Sequence, residues 1–551
     1  MVLGHHSLTR QRRSSLCSLS SPNSFLDADQ AAPISSPATS STTITEALTK
    51  KVSFEAPYTL LSDRHRATIQ AHKPLSRKFL RLPLPAAKHV NPAWGRFSGN
   101  EWVTVMGCGA IVLFCPLLAL LACICLKHFD GGLLPTLWAF MTTHPVEFIV
   151  NYAPRPTAGA SAAYGGWLLL QAALYAWLPS PIGYGQRTPA GHLLPYRVNG
   201  IHAWVVTHAI AVVAAYAGVL DPAVIAKNWE GLLVAANVYG YLLAVMAYLK
   251  AHLFPTHEAD RKFSGSILYD FYMGIELNPR FGEWWDFKLF HNGRPGIVAW
   301  TLINLSFAAW QFQLHGYISN SMIIVNILHA FYVVDFFVNE DWYLRTIDIC
   351  HDHYGFYLAW GSMVWLPGTY TLQAQYLARY PVNLSTPVAA AILLIGISGY
   401  VVFRSVNYQK DVVRRTNGEC KIWGKQAEVI RTTYRTGDGK THESLLLCSG
   451  AYPNFFPQHS RPARWHKADP RIAGWWGIVR HANYLGDLVL SYSGCAVCGV
   501  HNILPWWYAV FMTTLLLQRC VRDHSRCLGK YGEDWEKYCG RVKWKLIPGV
   551  Y

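Results

Sequence analysis

"VTVMGCGAIVLFCPLLALLACICLK" fills residues 103–127, and its first charge is the terminal lysine. A helix needs roughly 20 mostly apolar residues to cross a bilayer. Inside lipid the backbone must satisfy its own hydrogen bonds, so such a run is read as a helix. The fragment "GCGA" at 107–110 lies within it and is read as close helix packing, not as a phosphate-binding loop. Stretches of similar length recur at 133–151, 160–178, 200–220, 230–254, 296–313, 320–338, 354–373 and 385–404. A last apolar region, 484–517, is split around "HNILP" and holds one or two more. The predicted fold is therefore all-α, a multi-pass transmembrane helical bundle of about 9–11 spans.

Composition agrees. Of 551 residues, 52% are hydrophobic and 15% charged, where soluble domains carry roughly a quarter charged residues. The net charge of +16 comes from 48 Lys+Arg against 32 Asp+Glu. With no long basic low-complexity run, we assign the excess to loops on the cytosolic side of the membrane and expect no nucleic-acid partner. The thirteen cysteines are scattered, several within apolar runs. Neither Cys495–Cys498 nor "CHDH" at 350–353 has the second cluster that a four-ligand site requires, so no metal is expected.

Residues 1–50 are Ser/Thr-rich, with no acid before Asp27. They form a disordered tail or a transit-like segment. Residues 51–100 read as a linker, 101–404 as the main transmembrane region and 405–551 as a C-terminal membrane region.

Several segments carry polar groups at or near membrane depth. The stretch 335–361 contains Asp335, Glu340, Asp341, Asp348 and Asp352. Ionisable groups are costly in apolar surroundings, and we read them as lining a cavity. Further on, Arg519, Arg522, Arg526 and Lys530 share one face of a helix, with Asp523, Cys527 and Tyr531 on the adjacent stripe. Lys410, Arg414 and Arg415 follow the span ending near Arg404, while Arg480 and His481 precede the region that opens at Tyr484. Spacing leaves two readings open. The cations converge on a phosphate-rich ligand beside Trp and Tyr rings, or they anchor the helices to lipid headgroups.

"GSILYDFYMGIELNPR" (265–280), "LLQRCVRDHSRCLGKYG" (516–532) and "LLPYRVNG" (193–200) resemble the signature stretches of the membrane sterol reductases. The resemblance covers roughly residues 95–551. Within that family, "ICHDHYGFYLAWG" (349–361) and "RRTNGECKIWGK" (414–425) are similar to the Δ7 branch, with the Δ14 branch as the alternative. The resemblance implies an NADPH-dependent reduction of the C7=C8 bond of Δ5,7-sterols in the endoplasmic reticulum membrane. Other sterol-biosynthesis enzymes in that membrane would be candidate partners. It also implies an NADPH pocket facing the cytosol and built from the C-terminal helices. Carried over by position, that pocket comprises Lys410, Arg414, Leu447, Trp476, Asn483, Tyr484, Asp523, Cys527, Leu528, Gly529, Lys530, Tyr531 and Tyr538, with Arg480 and Arg522 as supporting cations.

An isolated sterol double bond is not polarised, so hydride addition needs an acid to protonate one carbon. Tyr354, Asp348 and Glu340 are the candidate acids. The chain departs from the family pattern at "AYPNFFPQHSRPARWHKADPRIAG" (451–474), a proline-containing insert between Leu447 and Trp476. It reads as a loop, either a retained intron or lineage-specific, and loop closure costs little extra with length. A sterol-binding pseudoenzyme inactivated by this insert is the non-enzymatic rival. Isoprenylcysteine carboxyl methyltransferases share a related C-terminal pattern, but they are expected to read "RHP" where this chain reads "RHAN" at 480–483.

Overall fold

The computed structural model describes residues 101–448 and 474–551. The predicted tail (1–50), the linker (51–100) and all but the last residue of the insert 451–474 lie outside the described residues. The main helices are α1 (Trp102–His128), α2 (Ala158–Trp177), α3 (Gly200–Tyr216), α4 (Trp229–Leu253), α5 (Ile297–His315), α6 (Asn320–Val338), α7 (Thr386–Arg415), α8 (Ala482–Ala496), α9 (Trp507–Tyr531) and α10 (Glu533–Arg541). Strand is confined, among the described residues, to two-stranded antiparallel pairs.

Among the described residues, five helices are long and apolar enough to cross a membrane: α1, α4, α5 with its lead-in from Phe287, α6 and α7. Large apolar side chains occupy the outer faces of these helices. Met106, Leu113, Phe114 and Leu117 of α1, and Val388, Leu394, Ile395 and Val401 of α7, face outward. The buried side of α4 instead carries Ala236, Gly240, Ala244, Ala247 and Ala251. In water such an outer surface would be a large exposed apolar patch. In lipid it costs nothing, and small residues let the helices approach closely. The chain is a helical membrane protein.

Some predicted spans take another form. The stretch 133–151 is two short helices, Leu133–Thr142 and Pro145–Tyr152, separated by an extended Thr143. Pro145 disfavours helical backbone in the residue before it. The stretch 354–373 begins as Phe356–Trp360, swells into a π-helical turn at Gly361–Trp365 and ends at Leu366–Thr369. It is buried inside the protein, with Ser362, Thr369, Thr371 and Gln373 all shielded. The region 484–517 divides into α8 and the first turns of α9, as its interruption suggested.

Helix ends follow local chemistry. Ser319 caps α6, its side chain accepting from the Met322 backbone N–H at 3.3 Å. Ser385 and Pro387 open α7, whose end is wrapped by Asn417 and Gly418, both at positive φ. A hairpin then forms from β1 (Val429–Arg435) and β2 (Thr441–Leu447), in register from Val429 opposite Leu447 to Arg435 opposite Thr441. Its Leu446, with Cys448, packs against Cys527, Trp535 and Tyr538 of α9 and α10.

Gly274 and Gly355 fasten together two of the signature stretches. A β-carbon on Gly355 would fall 2.2 Å from the Gly274 nitrogen. Tyr354 N–H also donates to the Glu276 carbonyl at 2.9 Å. This backbone contact lays the passage 350–355 against 274–276, beneath the C-terminal helices.

Candidate active site

A cavity of about 470 Å³ opens between α5, α6 and the π turn on one side and α7, α8, α9 and the hairpin on the other. Its lining changes character along its length. One end is apolar and aromatic, with Trp300, Tyr332, Trp365, Tyr370 and Phe511. The other end is charged, with Lys410, Arg414, Arg480, Asp523 and Arg526. The long helix α9 shows this gradient most clearly. Along α9 the lining residues run from Phe511 and Met512 through Leu515, Leu516 and Arg519 to Asp523, Arg526 and Cys527. On α7, Phe403 lies at the apolar end and Lys410 and Arg414 at the charged end.

Ten of the thirteen positions carried over from the family resemblance line this cavity: Lys410, Arg414, Leu447, Trp476, Asn483, Tyr484, Asp523, Cys527, Tyr531 and Tyr538. Six separate elements bring them together: α7, the hairpin strand β2, the short turn Trp475–Gly477, α8, α9 and α10. Lys410 Nζ sits 4.7 Å over the Trp476 ring, and Trp476 Nε1 donates to the Val406 carbonyl at 2.8 Å. Asn483 Nδ2 donates to Asn407 Oδ1 at 3.3 Å, while its own Oδ1 is buried without a partner among the described residues. Tyr484 stacks on His481 with ring planes 4° apart. Tyr531 reaches Ser444 of the hairpin at 3.3 Å. Three positions lie outside the lining. Leu528 is exposed, Gly529 is half-buried, and Lys530 is buried with its Nζ 3.9 Å over the Tyr434 ring.

The arginine face of α9 meets the "CHDH" passage. Arg519 Nη2 donates to Asp348 at 2.6 Å, Arg522 Nη1 to Asp352 at 3.0 Å, and Arg526 Nη1 contacts His351 Nε2 at 2.6 Å. These acids act as counter-charges to α9. Among the described residues no group of three or more His, Cys, Asp or Glu side chains is arranged to hold a metal. Arg480, expected as a supporting cation, lines the cavity and also donates to the Lys543 carbonyl at 3.1 Å.

Burial sets the ionisation of the charged end. Asp523 would be pushed up by burial, but Arg526, His481 and Lys410 together hold it well below the usual carboxylate range. Arg526 Nε donates to it at 3.1 Å. Burial lowers His481 to about 4 and Lys530 to about 7.

The three candidate acids occupy different places. Asp348 lines the cavity. Glu340 lies away from the lining, bonded to Arg294 at 2.5 Å and to the Gly200 N–H at 2.7 Å, where it caps α3. Tyr354 is buried against Phe287 and His291, its hydroxyl without a partner among the described residues. Sequence reading did not single out Asn407, Asp411 or Asp487 as site residues, though all three line the cavity. For Asp487 a signal existed, since it is an acid one turn past Tyr484 in an apolar helix.

A lipid-facing helical shell around an internal cavity lined by aromatic and cationic side chains is the architecture of a membrane-embedded enzyme. Residues 103–551 match the family model described as the Ergosterol biosynthesis ERG4/ERG24 family, and the chain belongs to that family. It is similar to the 7-dehydrocholesterol reductase of Danio rerio, 44% identical over 471 residues, covering 83% of this chain and 94% of the relative. The 7-dehydrocholesterol reductase of Xenopus laevis is 45% identical over 477 residues, 84% of this chain and 96% of the relative. A Δ14-sterol reductase of Methylotuvimicrobium alcaliphilum is 36% identical over 453 residues, 82% of this chain and 95% of the relative.

Proposed function

We propose that the protein is a Δ7-sterol reductase of the endoplasmic reticulum membrane that uses NADPH to saturate the C7=C8 bond of Δ5,7-sterols. The observation that carries this reading is the graded cavity, which offers a sterol an aromatic chamber and a dinucleotide a cationic one. Its support comes also from the two relatives above that are named 7-dehydrocholesterol reductase.

The charged end suits a dinucleotide chemically. Lys410 and Arg414 provide phosphate partners, Trp476 and Tyr484 provide stacking faces, and Asn483 Oδ1, without a partner among the described residues, can accept from a ligand donor. Bound there, the dinucleotide supplies the hydride. The chain's own residues orient both reactants and exclude water. Asp523 fixes the direction of Arg526, and Asp348 holds Arg519 where the two ends of the cavity meet. Trp300, Tyr332 and Tyr370 present ring faces to the positive charge that develops on the sterol.

The test is expression in membranes free of sterol reductase activity, followed by incubation with NADPH and either 7-dehydrocholesterol or a Δ8,14-sterol. Mass spectrometry should show saturation of the first substrate and little change in the second. Preferential Δ14 reduction would replace the Δ7 reading. Conversion of neither sterol would favour a sterol-binding pseudoenzyme.

A further inference from the structure

Five aspartates line the cavity: Asp335, Asp348, Asp411, Asp487 and Asp523. Four of them are held by arginine. Asp335 pairs with Arg404, Asp348 with Arg519 at 2.6 Å, Asp411 with Arg345 at 2.7 Å, and Asp523 with Arg526. A carboxylate in an ion pair accepts hydrogen bonds and has no proton to give.

Asp487 differs. It is 6% exposed, it forms no ion pair among the described residues, and its Oδ1 is buried without a hydrogen-bond partner. Arg519 is the charged group whose field reaches it, and that guanidinium is already bonded to Asp348. The Asp487 charge is felt by the phenols of Tyr332, Tyr370 and Tyr508 from the aromatic side. Along α8 it lies one turn beyond Tyr484, toward the apolar end. Asp487 therefore stands at the boundary of the two chambers, where a sterol carbon and a hydride donor would meet.

We propose that the carboxyl group of Asp487 is the proton donor to the sterol double bond, an inference that rests on the reductase reading above. The Asp487 O–H bond breaks. One olefinic carbon takes that proton through the π electron pair, and its neighbour takes hydride from the reduced nicotinamide dinucleotide. Two C–H bonds thus replace the π bond. The two electrons come from the dinucleotide, and the Asp487 carboxylate is reprotonated from solvent. Tyr332 and Tyr370 flank the intermediate cation.

The test compares wild type, Asp487→Asn and Asp487→Glu in the same membranes with NADPH and 7-dehydrocholesterol. Asn keeps the shape and removes the acidic proton. Asp487→Asn should lose at least about 100-fold in kcat while KM for both reactants changes by less than about threefold, the range expected for removing a general acid. Turnover within about threefold of wild type overturns the proposal. Should the Asn protein fail to accumulate, Asp487→Glu decides. It shifts the acid by one methylene and should lower kcat at least about tenfold at near-constant KM, whereas an unchanged kcat overturns the assignment. If wild type reduces only the Δ8,14-sterol, the Δ7 reading fails separately, and the same comparison on that substrate still tests Asp487. A wild type that reduces neither substrate overturns both readings.

Discussion

Asp523 joins the charged groups of the cavity, since Arg526, His481 and Lys410 all act on its carboxylate. Charge-assisted hydrogen bonds are roughly twice as strong as neutral ones. Asp523→Asn retains the shape and releases the cations. Sterol reduction should fall at least about tenfold, equivalent to about 1.4 kcal/mol of transition-state stabilisation, with normal membrane insertion. Wild-type turnover in microsomal assays would remove Asp523 from the site. His481 makes a separate prediction. Its folded pKa of about 4 lies below its ordinary 6.5, so between those values the unfolded chain binds more protons. Stability at this position is fully present above about pH 6.5 and is lost as pH falls toward 4. Thermal melting in detergent should show that acid limb in wild type, and His481→Asn should flatten it. Parallel curves for the two proteins would contradict the linkage.

Among the elements, the crossing of α7 and α8 decides whether the charged chamber exists. Gly399 and Gly486 meet there backbone to backbone. A β-carbon on Gly399 would lie 2.8 Å from the Gly486 carbonyl oxygen, and one on Gly486 would lie 2.6 Å from that of Gly399. Close approach through small residues is the membrane's substitute for hydrophobic packing. It brings Lys410 and Arg414 on one helix beside Asn483 and Tyr484 on the other. Gly486→Val should therefore lower the melting temperature and weaken NADPH use together. Val388→Ala, on the outward face of α7, should change neither. A Gly486→Val protein with wild-type affinity for NADPH would show that the crossing does not shape the site.

At the level of the whole molecule, apolar residues face outward on α1 and α7 while several ionic pairs are buried inside. The buried pairs Arg294–Glu340 and Lys250–Glu276 illustrate this inversion. Breaking a buried pair strands a charge and is strongly destabilising. The insert 451–474 falls between Cys448, whose N–H donates to the Glu428 carbonyl at 3.0 Å, and Trp475, whose N–H donates to Gln409 at 2.9 Å. With each flank anchored independently of the insert, deleting residues 451–473 should preserve sterol reduction within about threefold. Loss of activity in a deletion variant that still inserts in membranes would make the segment part of the working enzyme.

Periodicity is a local property, and whatever depended on it could be read from the sequence. Run length located α1, α4, α5 and α6 within a residue or two. The four-residue spacing of Asp523, Cys527 and Tyr531 placed them on one stripe, and that stripe lines the cavity. Even so, the apolar stretch 354–373 looked like a span and is an interior helix, because hydropathy cannot distinguish burial in protein from burial in lipid. Nor does composition reveal how charges are matched. Arg519 and Asp348 lie 171 residues apart, and their pairing exists only once α9 packs on the 348–352 turn. That packing neutralises Asp348 and Asp352, Arg526 pairs with Asp523 within α9, and Asp487 is left with no ion-pair partner among the described residues. Sequence alone determined a membrane-embedded helical enzyme with a cationic C-terminal face. Tertiary structure decided which of the cavity's aspartates has no ion-pair partner among the described residues, because a buried carboxylate's chemistry depends on neighbours that only the folded chain brings within a few ångströms.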